Sequence, residues 1–239
     1  MYNRDMPAMA KHGLSSPDGL VDIVTFVLCT IQQPLQSVGN QMSDIREHGV
    51  NSKYLFSSKR NGYQFILDNK NTILEGILEC KKYDDVVGVV ELLTTIPSLG
   101  MVKAGFVAQC LGFNVACIDS HNLDRLGMSR SSMTLAKGIK PELKRKKISN
   151  YVAFCQEKGA RYWWDTWCDY VAEKGTNKRL PTGDAVSIQC DPQSYWGRQS
   201  AIPQGHLAVQ AKGYILCKQG LSVSITRQSD GSVCWSCVG

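Results

Sequence analysis

Up to residue 174, apolar side chains recur at three- and four-residue intervals, the signature of amphipathic helices. Leu20, Ile23, Val24, Val27, Leu28 and Ile31 define one stripe. It predicts a helix capped by Asp18 and running to about residue 47, divided at Pro34 and stopped by Gly49. Tyr63, Phe65, Ile66, Ile73, Leu74, Ile77 and Leu78 predict a second helix over 60–82. Asp84 or Asp85 can cap a third, with Val86, Val87, Val90 and Leu92 apolar, ending near Thr95. Its β-branched content also suits a strand, but the Pro97 and Gly100 that follow favour a helix entering a hairpin. Residues 102–111 read as a helix rich in small side chains, with Ala104, Gly105 and Ala108 open to close approach. A short helix over 129–137 is expected next. Pro141 at a first-turn position then opens a helix over 142–158. Trp163, Trp164, Trp167, Tyr170 and Val171 mark one more over 160–174, with the tryptophans read as core rather than base-stacking groups.

The period then changes. Residues 176–186 are polar and hold Gly, Pro and Asn, as a linker would. Beyond them Val186, Ile188, Leu207, Val209, Ile215, Val223 and Ile225 sit in alternating segments, and Ser229-Asp-Gly-Ser232 is a hairpin turn signal. Three parts are expected: a flexible arm over 1–17, a helical domain over 18–175 and a small β-rich extension over 186–239. The fold class is mainly α.

Composition narrows this picture. With 239 residues the chain can bury a core. A formal net charge of +6 favours a polyanionic partner without demanding one. The first six of its ten cysteines fall mostly inside apolar, helix-patterned segments, which suits buried free thiols in a reducing compartment. The polar first 17 residues carry no signal-like apolar core, and the apolar run Val21 to Cys29 is too short to span a bilayer. An intracellular, soluble protein is expected, with no membrane partner.

The chemistry concentrates between residues 95 and 127. Ile96-Pro-Ser-Leu-Gly-Met101 joins two helical patterns. Such a turn can aim consecutive N–H groups from the start of the second helix at a phosphate, and Lys103 in the first turn adds charge. A mere interhelical turn is the ordinary meaning of an isolated Pro-x-x-Gly. Here, however, the apolar segment Val115-Ala-Cys-Ile118 follows, then Asp119, sixteen residues beyond Lys103, then Ser120 and His121.

This order resembles the helix–hairpin–helix DNA glycosylase superfamily, which includes the endonuclease III, adenine glycosylase and 3-methyladenine glycosylase families. Ile96-Pro97-Ser98-Leu99-Gly100 stands where that family has Leu-Pro-Gly-Val-Gly, and Ile118-Asp119-Ser120-His121 stands for its Val-Asp-Thr-His. Cys29-Thr30-Ile31-Gln32 matches its Leu-Ser-x-Gln motif, and the likeness covers roughly residues 18–174. The resemblance implies a duplex DNA partner, a base flipped from its stack, and loss of that base by hydrolysis of its N-glycosidic bond. Asp119 would stabilise positive charge developing on the sugar and help activate water. Asp124 is a weaker candidate, and His121 is expected to hold a helix start. Gln32 would enter the gap left by the base. Ser98, Leu99, Gly100, Val102 and Lys103 would contact the backbone, with a monovalent cation at the hairpin as the family's arrangement allows. The basic run Lys144-Arg145-Lys146-Lys147 would extend the track, although a solvated helix face is the usual meaning of such a run.

Departures from the pattern limit the expectation. The position of the family's nucleophilic Lys is Val102, and Lys103 lies one residue late, about 100° around the helix. A monofunctional enzyme without lyase activity is therefore expected. Cys155, Cys168 and Cys190 do not have the family's iron–sulfur spacing, so no cluster and no required cofactor are expected. Cys234-x-x-Cys237 is a weak metal candidate, completed by Cys190, Cys217 or His206. A rival reading keeps the fold without the reaction, as a DNA-binding or structural protein. A viral or phage particle is one setting for it, with a cytoplasmic or nucleoid location for the enzyme. A second rival is another base- or nucleotide-modifying enzyme using the same pocket on hypermodified DNA.

Overall fold

The computed structural model describes residues 2–33 and 37–167, and the backbone of three strands at 186–189, 223–227 and 233–237. It is mainly helical. Helix α1 (Tyr2–Ser15) is followed by α2 (Pro17–Cys29), α3 (Val38–His48) and α4 (Ser57–Lys82). Then come α5 (Val86–Leu93), α6 (Met101–Cys110), α7 (Ser120–Leu126), α8 (Pro141–Gln156) and α9 (residues 160–167). Among the described residues, no helix is long and apolar enough to cross a membrane.

Most expected helices are present, with shifted ends. Ser16, not Asp18, caps α2: its hydroxyl accepts from the Gly19 amide at 3.0 Å, and Pro17 occupies the first turn. The stretch expected to divide at Pro34 stops at Cys29 and resumes as a helix at Val38, and Gly49 closes the second piece at φ 56°. Asp85 caps α5 through Gly88 N at 2.8 Å, which settles the helix-or-strand ambiguity there. Pro141 opens α8.

Two expectations fail. The segment 1–17, read as a flexible arm, contains α1, which packs against α2 and α6 with Met6 and Met9 buried. Its apolar residues are sparse, so the polar majority hid a helix with a narrow buried edge. The short helix over 129–137 shrinks to a 3₁₀ turn, Arg130–Met133.

The core is one cluster built on α2, which is buried nearly all round, with α4, α5, α6 and α8 about it. Small residues on α6 work as their spacing suggests. A Cβ at Gly105 would strike the Tyr151 hydroxyl, so glycine there lets α8 lie close. The described cysteines, Cys29, Cys80, Cys110, Cys117 and Cys155, are all free thiols. The strands Val186–Gln189, Val223–Arg227 and Val233–Cys237 pair antiparallel in that order. The linker, the other expected strands, the 229–232 turn and the side chains of Cys190, Cys217, Cys234, Cys237 and His206 lie outside the described residues.

Candidate functional site

Asp119 occupies the N-cap of α7. Its Oδ1 accepts the amides of His121 and Asn122 at 3.1 and 3.2 Å. Its Oδ2 accepts the Trp167 indole N–H at 3.1 Å. The carboxylate is half-buried, not sealed. Three N–H donors leave part of its acceptor capacity open, because an ionised carboxylate offers roughly four lone-pair sites.

The loop that delivers Asp119 is clamped from three sides. Tyr151 of α8 donates its hydroxyl to Ala116 O. Gln109 of α6, 1 % exposed, accepts Cys117 N at 3.1 Å and donates to Ala160 O at 3.0 Å. Asn122 donates to Cys117 O at 2.9 Å. Val115, Ala116 and Ile118 are buried, so the apolar run fixes the loop while its polar partners satisfy the backbone. Arg125 reaches Asn122 Oδ1 and Thr166 Oγ1, each at 3.3 Å, and lies over the Trp163 ring. His121 meets Trp167 edge-on.

An aromatic ladder runs from this acid to the hairpin side. Trp167 stacks on Trp164, Trp164 meets Phe106, and Phe106 meets Phe26. Trp163 and Trp164 are buried, as core residues should be. Trp167 has a second task that the sequence pattern does not disclose, orienting Asp119. At the ladder's far end Lys103 places its ammonium over Phe106 and donates to Thr30 Oγ1 at 3.2 Å.

The hairpin reverses the expected division of labour between its two special residues. Ser98 holds φ 72°, the left-handed conformation that glycine adopts without penalty. Gly100 has φ −70°, is exposed, and a Cβ on it would meet nothing within 4 Å. The protein itself has no need of glycine at 100, whereas an external group approaching the backbone would. No side chain caps α6, so the amides at its start have no internal acceptor. Leu99 turns its side chain into the core and donates its amide to Ile96 O, so only its exterior backbone is left for a ligand. Val102 packs against the core. The Pro97 carbonyl lies against Gly62 of α4, and the Ile96 carbonyl is engaged by Leu99. Among the described residues, no group of three or more His, Cys, Asp or Glu gathers as a metal site would require.

Gln32 follows the end of α2, exposed, at φ 55°. It shares with Thr30 and Lys103 the end of the molecule where α2 stops and α6 starts. The basic run is divided. Arg145 donates to Glu91 Oε2 at 2.6 Å and lies 3.8 Å from Asp85, so it ties α8 to α5. The Glu91 hydrogen bond and charge, with Asp85, raise the guanidinium's pKa further. Lys146 is exposed, and Lys144 and Lys147 are partly so.

Sequence reasoning missed Lys59. It is 3 % exposed, although it is a lysine in the first turn of α4. The signal was present: Lys59 is in phase with Tyr63, Ile66, Ile73 and Ile77, all buried on one stripe. Comparison of the chain with protein-family models, with curated proteins and with solved structures finds no match.

Proposed function

We propose that the chain binds duplex DNA through the hairpin and hydrolyses the N-glycosidic bond of a damaged or modified base. The helical part would follow the helix–hairpin–helix glycosylase plan, with a small β unit over 186–239. The observation that carries the reading is the half-buried Asp119 carboxylate, positioned by three N–H donors at the start of a helix and joined through stacked aromatics to the Lys103 end of the hairpin. A fixed carboxylate suits an oxocarbenium-like transition state, because it needs no reorientation as positive charge develops on the sugar. Asp119 assists water, Gln32 fills the space of the flipped base, and the amides at the start of α6 hold a phosphate. With Val102, packed against the core, at the family's nucleophile position, no amine stands there, so the mechanism forms no covalent adduct at that position.

The test is incubation with duplexes carrying candidate modified bases, followed by hot alkali. Wild-type protein should give strand scission, and Asp119→Asn should lower its rate roughly a hundredfold or more. Asn remains a good helix cap but loses the acceptor for the Trp167 indole, so Asp119→Asn should cost about 1–3 kcal/mol, and scission is compared at a temperature where both proteins are folded. Equal scission by both proteins would remove Asp119 from the chemistry.

One observation favours a second reading, a DNA-binding protein with the same plan and no reaction. Each Asp119 oxygen already serves the fold, one as a helix cap and one as the acceptor for Trp167. Salt-sensitive DNA binding without scission on any duplex would select it.

A further inference from the structure

Lys59 carries an ammonium group buried among packed side chains. Its Nζ has no hydrogen-bond partner among the described residues. Its one close neighbour of note is the Phe56 ring, 4.9 Å away, and Phe56 is itself 47 % exposed. The charged groups that act on it are Cys29, whose thiol burial pushes up to about 12, and a second ammonium, Lys103. Neither supplies negative charge at neutral pH. A buried cation without a counter-charge is unfavourable, so an anion entering beside Lys59 would be stabilised by it.

The surroundings specify that counter-charge. Lys59 lies in the first turn of α4, a helix of 26 residues, and Lys103 in the first turn of α6, a helix of 10. Neither helix has a side-chain cap, although the Lys59 amide itself donates to Phe56 O, and both present the positive end of a dipole. The two starts are close: the Gly62 backbone lies against the Pro97 carbonyl and near Leu28 of α2. Thr30, at the end of α2, accepts from Lys103 Nζ at 3.2 Å and donates its own proton to Val27 O at 2.7 Å, so it positions the Lys103 ammonium. Two amines beside two helix starts match a phosphate oxyanion.

We propose that Lys59 and Lys103, the latter held by Thr30, form a binding site for a phosphate group, covered by the Phe56 ring, at the meeting of α2, α4 and α6. The ligand is a phosphate ester, carried either by a nucleic-acid backbone or by a free nucleotide-like molecule. Entry requires Phe56 to swing outward, which its exposure allows. Burial, opposed by Cys29 and reinforced by Lys103, lowers the Lys59 pKa, and an incoming phosphate would restore its charge. The site stands on its own geometry and does not depend on Asp119 being catalytic.

Thermal unfolding with inorganic phosphate, against chloride at matched ionic strength, tests it. Wild-type protein should show a saturable rise in Tm, roughly 5–10 °C at a hundredfold excess over Kd. Lys59→Met should unfold at the wild-type temperature or above without phosphate, because an isosteric apolar chain replaces an unpaired amine, and should lose the saturable rise. Lys103→Met, at a half-buried position, is the second variant and should weaken Kd tenfold or more. A wild-type response that does not saturate, or one that survives undiminished in both variants, overturns the site. Competition then separates the sources. A 5′-hydroxyl trinucleotide that displaces phosphate assigns the site to backbone diesters, and displacement by its 5′-phosphorylated form alone assigns it to a terminal ester. Displacement by neither overturns the assignment to phosphate esters.

Discussion

Single positions in this chain carry conformations at odds with their residue types, and each mismatch is measurable. Ser98 sits at φ 72° with its hydroxyl buried and without a partner among the described residues, so Ser98→Gly should stabilise the protein by about 1 kcal/mol, read as a higher urea midpoint at unchanged m. Gly100→Ala should leave stability unchanged, since the added methyl meets nothing, and yet weaken DNA binding if a phosphate approaches that backbone. Buried thiols make a second residue-scale prediction. Burial pushes Cys29, Cys117 and Cys155 up to about 12 from an ordinary 9.0. Above pH 9 the unfolded chain releases these protons while the folded chain keeps them. The unfolded state then binds fewer protons, and unfolding gains ground as pH rises from 9 towards 12. Each thiol adds a slope of about 1.4 kcal/mol per pH unit in that window. The same thiols should resist a disulfide reagent at pH 8 until urea unfolds the protein.

Between elements, the decisive contact is α6 against α8. A Cβ at Gly105 would collide with the ring and hydroxyl of Tyr151, and that hydroxyl is needed at Ala116 O to hold the loop leading to Asp119. Gly105→Ala should therefore cost about 2 kcal/mol, and the penalty should shrink in a Tyr151→Phe background. If the two changes simply add, the two positions are not coupled and the clamp is misassigned. This junction also shows what can be read from a sequence. The small-residue run at Ala104, Gly105 and Ala108 announces a close helix partner but cannot say which one. Helical periodicity marks α4, α5, α6 and α8 because each has a wide apolar face. It misses α1, whose buried edge is narrow, and carries the first half of the divided stretch on to Pro34, where the helix has already ended at Cys29. Asp119 as a helix start is legible from the Ser120-His121 that follows it. Its hold by Trp167, 48 residues on, is tertiary and leaves no local trace. Lys59 was legible only as a polar intruder on an apolar stripe.

At the scale of the whole molecule, a net charge of +6 says little about where a polyanion would lie, and the ion pairs decide how much of the basic run is available to it. Arg145 is joined to Glu91 and Asp85, so its charge is already balanced within the protein, and reaching a phosphate would break a 2.6 Å bond. Lys144, Lys146 and Lys147 carry no such commitment in the ion pairs of the described residues. If α8 borders the DNA, each of these lysines that contacts a phosphate releases a counterion on binding. Replacing it with Ala should then reduce the slope of log K against log salt by about 0.9. Arg145→Ala should change that slope less than any contacting lysine, while costing up to about 1 kcal/mol of stability through the lost α5–α8 tie. Asp119→Asn should leave the slope in place, because it alters chemistry at one base and not the count of phosphates. Anisotropy titrations of a labelled duplex between about 50 and 200 mM salt measure all of these slopes. A slope near zero for the wild-type protein would remove the enzymatic and the non-catalytic DNA-binding readings together. A full slope with four unaltered α8 variants would keep the DNA and move its path to the hairpin and the Lys59–Lys103 end.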